Sequence, residues 1–565
     1  MNVAVAQMNT QSGALSETYE RMLAYAERAK EQHAELIVYP APSLTGLMSL
    51  TDATVEGFLE DLFATLKQLA ENLPLPAVVP VVVTKDHEVL SEAMFLRQGH
   101  VTPLRLTAEI AHLSALARES VTEGDLSDEE DPGFDLPHFE WGDYTIGISF
   151  SCQDLDAWRD ADQTADLMLY LNTSGYALSD VNTTMGLGLS DSRFSSDADE
   201  LGAWVIGVNA VGLYGGHVSI GSSFVIAPDG ECGICAKAFE EDLICVDIDS
   251  GSRSKEALSL PASEDTSAVG WKALKLGLFE FVKQGHFDGV AVLLDTSVSA
   301  QVTAALARSV FQASQIYISS VETQDQLEYD IAYARLAAYA RENNLLVLTT
   351  ENKSDWALGA GGMIAAGALH PLGDLYLSEI LDFCESVPEV KADLSATVTY
   401  EVFDFKKKDE LFSSFYEQAH FVDTVLSRTI ELGKSFHEIV AKIGYEEAVA
   451  DVLDALYGNG VTRQNRGSLL ILLQCPLVDT ELPLFTSWRD SQRKQTVEED
   501  TSTLFDGLLA SAEHAFMQAI PEQVEMPSPE SLQEILDYLR EFSGLEGAGV
   551  MFGMPKMWRG PFSEN

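Results

Sequence analysis

The stretch GISFSCQDLDAW sets an apolar run, Tyr144 to Phe150, just ahead of a cysteine at position 152. A buried strand that delivers a cysteine at its end is one way to present a thiolate to a carbonyl carbon. The thiol does that work only where a neighbouring base or cation draws off its proton. Cys232 and Cys235 form a second candidate, a CxxC in PDGECGICAKAF. A zinc site needs four ligands, and neither a second cysteine pair nor a nearby histidine accompanies this one. The PDG turn and the alternation after it read as a hairpin strand, so the pair is expected to be structural and no metal site is expected.

The elements around Cys152 alternate between strand and helix. NVAVAQM, AELIVYP and PAVVPVVV read as strands, and Leu15 to Gln32 has apolar residues at helical spacing. After Cys152 come LMLYLNTS, WVIGVNAVG, SSFVIAP and LICVDID, each bounded by Gly, Pro, Asp or Asn. SGSRSKEALSLPASEDTSA reads as a linker, and the acidic run DLSDEEDPGFD as a solvated loop. A second α/β unit follows, with helices over 272–284, 300–311 and 329–342 and strands GVAVLLD and LLVLTT. From about Leu411 the chain becomes mostly helical. LFDGLLASAEHAF and SLQEILDYLREF are predicted helices of an acidic tail.

The 565 residues suffice for two or three cores. Acidic residues number 88 against 35 basic ones, a formal net charge of −53. Such a surface repels nucleic acid and anionic membranes, so neither is an expected partner. No apolar run is long enough to span a bilayer. The N-terminus MNVAVAQMNT has no basic segment of a secretory signal. Six scattered cysteines suit a reducing compartment, and a cytoplasmic location is expected.

The first 250 residues resemble the nitrilase, or carbon–nitrogen hydrolase, superfamily. VAVAQMN, AELIVYPAPSLTG, the strand ending in SCQD, LYLNTS and VNAVGLYGGHVSIGSSFVIAPDG carry the resemblance, in order. It implies two sheets packed between helices. It also implies a cysteine nucleophile, a glutamate that moves protons and a lysine that stabilises the oxyanion. Cys152 falls at the nucleophile position. The glutamate expected after Pro40 is Ala41, and the lysine expected near TAEIAHL is Glu109 or Ile110. No lysine occurs between Lys85 and Lys237. Lys85 comes too early to substitute well, and nothing in the sequence requires His112 or Arg118 to take over a role. The resemblance therefore implies a vestigial nucleophile position.

The whole chain resembles the glutamine-dependent NAD⁺ synthetase family. In that family the first domain frees ammonia from glutamine, and the second adenylates deamido-NAD with ATP before ammonia displaces AMP. Residues from about Trp271 to Leu473 carry the second half of the resemblance. They include GVAVLLDTSVSAQVTAALA, LLVLTTENKSDWALG, HPLGDLYLSEI and GNGVTRQNRG. The family's ATP loop, Ser-Gly-Gly-x-Asp-Ser, aligns with Asp295 to Ala300, where both glycines and the acid are gone. Asp295 sets a negative charge beside the expected phosphate, a repulsion of about 1 kcal/mol at 4 Å in water and more near protein. The segment before Tyr329 is short, which predicts loss of the adenine-side strand. QLEYDIAYA lacks the family's arginines, AGGMIAAGALHP lacks its Tyr-Gly-Asp, and Arg463 and Gln464 keep part of a basic motif. Asn352, Lys353, Ser354 and Asp355 remain as the implied nucleotide-binding residues. Lys353 reads equally as a solvated or salt-bridged side chain.

These readings predict an α/β chain of three parts: a nitrilase-like α-β-β-α sandwich over 1–250, a Rossmann-like NAD synthetase-like domain over 268–480, and an acidic helical tail over 481–565. They imply a member of the family degenerate at both sites, acting as a binding, regulatory or assembly subunit. Its partners would be copies of itself or an active relative, and deamido-NAD, NAD or ATP would be its ligands. The alternatives are an active synthetase using ATP and Mg²⁺, an amidase built on Cys152, or a small-molecule sensor.

Overall fold

The computed structural model describes residues 1–472 apart from 12, 42, 46–55, 86–87, 109–135, 162, 179–192, 249–264, 324, 360–366, 395–411 and 460–467. The expected linker, the acidic loop and the two tail helices fall largely or wholly outside these residues. Contacts divide the chain into two units. The first holds residues 1–353, 361–401 and 465–476, and the second 354–360, 402–464 and 477–565.

The first unit begins β1 (Asn2–Gln7), α1 (Leu15–Glu31), β2 (Leu36–Val38), α2 (Glu56–Asn72), β3 (Ala77–Lys85), β4 (Glu88–Arg97), β5 (His100–Pro103). It continues β6 (His138–Trp141), β7 (Tyr144–Ser149), α3 (Cys152–Asp160), β8 (Leu167–Leu171), α4 (Arg193–Leu201), β9 (Trp204–Val208). The hairpin β10 (Val211–Tyr214) and β11 (His217–Ile220) follows, then β12 (Phe224–Ile226), β13 (Cys232–Cys235) and β14 (Asp242–Asp247). One six-stranded sheet has the order β14-β1-β2-β3-β4-β5 and the other β13-β12-β9-β8-β7-β6.

Strand alternation makes this a four-layer sandwich. Val3, Val5, Leu36 and Val38 meet Leu167, Leu169, Leu171, Ile206 and Val208 in one core between the sheets. Ala4, Ala6, Ile37 and Tyr39 point the other way, onto Met22 and Ala26 of α1. Met168, Tyr170 and Val205 likewise pack outward onto Trp158, Phe194 and Ala198 of α3 and α4. Strands covered on both faces must be apolar at nearly every position, which is why these runs are continuous.

The remaining elements of the first unit build a parallel sheet. They run α5 (Thr266–Gln284), β15 (Gly289–Leu294), α6 (Val298–Val310), β16 (Ile316–Ser320), α7 (Gln326–Glu342), β17 (Leu345–Leu348). After the short α8 (Lys353–Ala357), whose residues beyond Lys353 belong to the second unit, come β18 (Leu369–His370), α9 (Leu377–Ser386) and α10 (Pro388–Asp393). The second unit carries α11 (Phe415–Ile430), α12 (Phe436–Ile443) and α13 (Glu446–Gly458), and β19 (Ser468–Leu469) closes the parallel sheet of the first. Sheet order is β16-β15-β17-β18-β19. The expected loss of the strand before Tyr329 is therefore corrected. The segment is short, yet Ile316–Ser320 still pairs parallel with β15. Among the described residues no helix is long and apolar enough to cross a membrane.

Helices α5, α6 and α7 begin earlier than their apolar periodicity suggests, and capping supplies the reason. Asp265 accepts from the Ser267 amide, Ser297 from that of Ala300, and Asp325 from those of Leu327 and Glu328. Within the first unit α5 also joins the sandwich to the parallel sheet. A Cβ at Gly277 would lie 2.9 Å from Val218 and 3.1 Å from Leu470. Ile471 donates to the Gly216 carbonyl at 2.8 Å, and Leu178 to that of Leu472 at 2.9 Å.

One polar cluster ties the two sheets together at the carboxyl ends of their strands. The Gln7 amide donates to the carbonyls of Lys237 (2.6 Å) and Glu240 (2.7 Å). Its oxygen accepts from the Ser223 amide (2.8 Å) and hydroxyl (3.0 Å). The Asn209 amide donates to Ser223 Oγ at 3.0 Å, and Asn172 Nδ2 to Asn209 Oδ1 at 3.0 Å. Gln7→Leu strands several buried partners at once. It is expected to lower the free energy of unfolding by roughly 3 kcal/mol in a denaturant titration.

Candidate active sites

Cys152 does not end a strand. It is the first residue of α3, placed there by a capping box: Ser151 Oγ accepts from the Asp154 amide at 3.1 Å. The Asp154 carboxylate accepts in return from Phe150 N (2.8 Å) and Ser151 N (3.1 Å). Gly147 lets α3 lie close, because a Cβ there would come 2.5 Å from Met168 Sδ and 2.9 Å from the Trp158 ring. The side chains of Ile146, Ile148 and Phe150 enter the core between the sheets. Cys152 packs on the outer layer instead, with its Sγ 3.9 Å from the Tyr170 hydroxyl.

Ala41, at the position of the expected glutamate, is buried in the inter-sheet core with Phe150. The thiol and the substituted position thus face different layers. Burial pushes the Cys152 thiol above its ordinary pKa. The Arg193 guanidinium and the Tyr170 hydroxyl pull it down, while Asp197 and Asp156 push it further up. Arg193 itself lies 3.7 Å from Asp156 and 3.9 Å from Asp197, so its charge is shared. A cavity of about 180 Å³ opens nearby between Arg105, Phe150, Asp154 and Trp158, and Cys152 does not line it. Glu109, Ile110, His112 and Arg118 lie outside the described residues. Lys85 ends β3, opposite Glu88 in the β3–β4 hairpin.

The second site lies where the parallel sheet changes direction, between β15 and β17. Ligands of open α/β sheets bind at such a crevice, outside the carboxyl ends of the strands. The loop after β15 leads into α6, whose first-turn amides would meet an anion. Here the Ala300 amide and the N-cap amide of Ser297 meet the protein. Asp295 Oδ1 accepts from Ser297 N at 2.8 Å, Ser297 Oγ accepts from Ala300 N at 3.2 Å, and Gln301 Nε2 donates to the Asp295 carbonyl at 2.9 Å. The α6 side chains are buried from Val298 to Ala307.

The residues after β17 turn inward. Asn352 Nδ2 donates to Ser299 Oγ at 3.1 Å. Lys353 is fully buried, with Nζ 3.7 Å from Asp374 Oδ1 and 4.7 Å from the centre of the Tyr376 ring. Its separation from Asp374 is that of an ion pair rather than a hydrogen bond. The other Asp374 oxygen accepts from the Leu472 amide at 2.8 Å. Lys353 is thus a salt-bridged side chain and not a solvated one. Ser354 Oγ donates to Asp423 at 2.6 Å within the second unit. Asp355 sits in the first turn of α8. Arg463 and Gln464 lie outside the described residues.

The sequence reading missed the surroundings of Tyr329. Burial raises its pKa, and the carboxylates of Asp295 and Glu351 raise it further. These two acids, after β15 and β17, give the crevice a negative field where a nucleotide would bring its phosphates. Behind them His370 is buried against Thr349, and burial holds its pKa down to about 3. Glu351 Oε2, 3.9 Å away, does not offset that burial. Among the described residues no group of three or more His, Cys, Asp and Glu side chains is placed to hold a metal ion.

The fold and its two sites define a carbon–nitrogen hydrolase-type sandwich joined to a parallel nucleotide-binding-type sheet. Residues 2–255 match the carbon–nitrogen hydrolase family. Over most of its length the chain is homologous to glutamine-dependent NAD⁺ synthetases. It is 21% identical to that of Acinetobacter baylyi, covering 86% of this chain and 98% of the relative. It is 22% identical to that of Rhodobacter capsulatus, covering 86% and 99%. Two solved structures share the fold. The glutamine-dependent NAD⁺ synthetase of Acinetobacter baumannii, in complex with adenosine diphosphate, aligns with a TM-score of 0.56 at 18% identity over 87% of this chain and 99% of its own. That of Cytophaga hutchinsonii aligns with a TM-score of 0.63 at 12% identity over 86% and 98%.

Two outcomes follow from this geometry. Lys353→Met leaves the buried Asp374 charge without its cation and is expected to cost about 3–5 kcal/mol of stability. Adding Asp374→Asn should restore much of that loss in the same unfolding titration. The raised thiol pKa makes Cys152 a slow target at neutral pH. Its alkylation by iodoacetamide, followed by peptide mass spectrometry, should keep accelerating as pH rises past the ordinary thiol range.

Proposed function

We propose that this chain is a catalytically degenerate relative of the glutamine-dependent NAD⁺ synthetases, acting as a binding, regulatory or assembly subunit. The observation that carries this reading is the start of α6. Asp295 and Ser297 engage the Ser297 and Ala300 amides, two of those that face a phosphate at such a helix start, and Asp295 adds a charge of the wrong sign. Adding ATP would mean breaking those bonds and bringing phosphate past Asp295 and Glu351. The first site supports the same reading, because Ala41 cannot move a proton and the Cys152 thiol is held protonated.

In this reading Cys152 is a vestigial nucleophile position. Asn352, Lys353 and Ser354 keep family identities, and Asp355 stands in place of the family's Glu. The working parts are a glutaminase-type domain over 1–250, a synthetase-type domain over 268–480 and a tail from 481. The protein is cytoplasmic and assembles with itself or with an active relative. The formal charge of −53 argues against nucleic acid and anionic membranes as partners.

A second reading is an active synthetase using ATP and Mg²⁺. It is favoured by similarity that spans 98–99% of the length of the curated relatives. The bound adenosine diphosphate of the Acinetobacter baumannii structure points to the nucleotide class either reading would accept.

The experiment is NAD⁺ formation from deamido-NAD, Mg-ATP and ammonium by the purified full chain. Ammonium bypasses the first site, so the assay tests the Asp295–Ala300 loop alone. No turnover by folded protein is expected. Turnover that is lost in Asp295→Lys would establish the synthetase reading instead.

A further inference from the structure

Beside α5, the surface of the first unit combines a strained aromatic, an exposed aromatic and a local excess of cations. Phe239 has a φ of 64°, a conformation that is costly for a bulky side chain and free for glycine. Such strain persists only where the surroundings over-determine it, and it clusters at ligand clamps. Here the surroundings do so. The Phe239 amide donates to the Ile220 carbonyl at 2.7 Å. Gln7 Nε2 holds the carbonyls of Lys237 and Glu240 on either side. The loop presents the Phe239 ring half-buried.

Helix α5 supplies the facing wall. Lys272, Lys275, Leu276, Phe279 and Lys283 fall at i, i+3, i+4, i+7 and i+11, so they share one side of the helix. Phe279 is 47% exposed. Two clefts meet at this side. One of about 410 Å³ runs past Arg21, Glu241, Glu280 and Lys283. The other, of about 470 Å³, runs past Glu240, Lys272, Lys275 and Val310. Phe239, Leu276 and Phe279 line both. Each cleft has the size of a small-molecule site.

Charge here runs against the rest of the chain. Acidic residues outnumber basic ones by 88 to 35 overall, yet four basic side chains line these clefts against three acidic ones. Each of the three acids already has a cation. Glu241 pairs with Arg21, Glu280 with Lys283 at 3.2 Å, and Glu240 with Lys237 at 3.7 Å. Lys275 lies 3.6 Å from Glu389, and Lys272 sets its Nζ 6.0 Å from the centre of the Phe239 ring. The second cleft thus joins aromatic walls to a cationic edge.

We propose that this second cleft is a binding site for a small aromatic carboxylate. The ligand ring packs against Phe239 and Phe279, and its carboxylate meets Lys272 with Lys275 beside it. The pinned Phe239 backbone keeps one wall in place before the ligand arrives, which lowers the ordering cost of binding. The site lies apart from both candidate active sites and does not depend on whether either turns over.

Calorimetric titration of the full chain with cinnamate, its neutral amide and cinnamylamine tests the site. Cinnamate is expected to bind one-to-one, and more weakly in added salt. The amide and the amine are expected to bind at least roughly tenfold more weakly. Phe239→Gly relieves the left-handed backbone and removes the ring. It is expected to keep or raise the thermal unfolding temperature while weakening cinnamate roughly tenfold. Phe279→Ala and Lys272→Gln, at exposed positions, are expected to weaken cinnamate with unfolding unchanged. Absence of cinnamate binding would overturn the proposal. So would binding that the neutral amide equals, or binding that all three variants leave unchanged.

Discussion

The first unit depends on a buried side-chain amide that ties the strand ends of one sheet to those of the other. That side chain is Gln7. It sits at the end of β1, in one sheet, and binds Ser223 at the start of β12, in the other. The same amide holds the carbonyls of Lys237 and Glu240. A side-chain amide with its donors and its acceptor used in a buried site fixes distance and orientation together. Apolar packing between the sheets would tolerate sliding. The Gln7, Ser223, Asn209 and Asn172 cluster sets the register in which the carboxyl ends of both sheets meet, and candidate chemistry of this fold lies at those ends.

Internal satisfaction of this kind excludes as well as supports. An anion site at a helix N-terminus exists because first-turn amides lack protein partners. At α6 the protein supplies partners to the N-cap amide of Ser297, through Asp295, and to the first-turn amide of Ala300, through Ser297. A buried lysine can serve a phosphate only if its charge is not already committed. Lys353 lies beside Asp374, whose second oxygen holds the Leu472 amide. Retention of Lys353 in the sequence is thus explained without a nucleotide, because a lone buried Asp374 would be costly. A family motif and a structural ion pair leave the same letters in a chain, and geometry separates them.

Much of the architecture was legible in the residues. Continuous apolar runs such as LMLYL and WVIGV read as strands, and the family resemblance implied the two-sheet sandwich. The losses of the expected glutamate and of the loop glycines could also be read directly. Other features were hidden for definable reasons. β16 is five residues long, and Ile-Tyr-Ile-Ser-Ser is too short for periodicity to distinguish a strand from a loop. The early starts of α5 and α7 come from Asp265 and Asp325, caps that stand outside the apolar pattern. The outward turn of Cys152 follows from the Ser151–Asp154 capping box, which starts a helix where apolar alternation predicted the end of a strand. The pairing of Lys353 with Asp374 is a long-range contact that one sequence does not encode locally.

The two candidate sites share one physical feature. At each, neighbouring side chains meet backbone and side-chain polar groups. At the first, Asp154 gathers the amides of Phe150 and Ser151, and the Arg193 charge is shared with Asp156 and Asp197. At the second, Asp295 and Ser297 gather the amides of Ser297 and Ala300. A substituted site left with unsatisfied groups would carry a stability penalty of about 1–3 kcal/mol for each one. A site whose polar groups find partners in the protein carries less of that penalty and is a stable structural element in its own right.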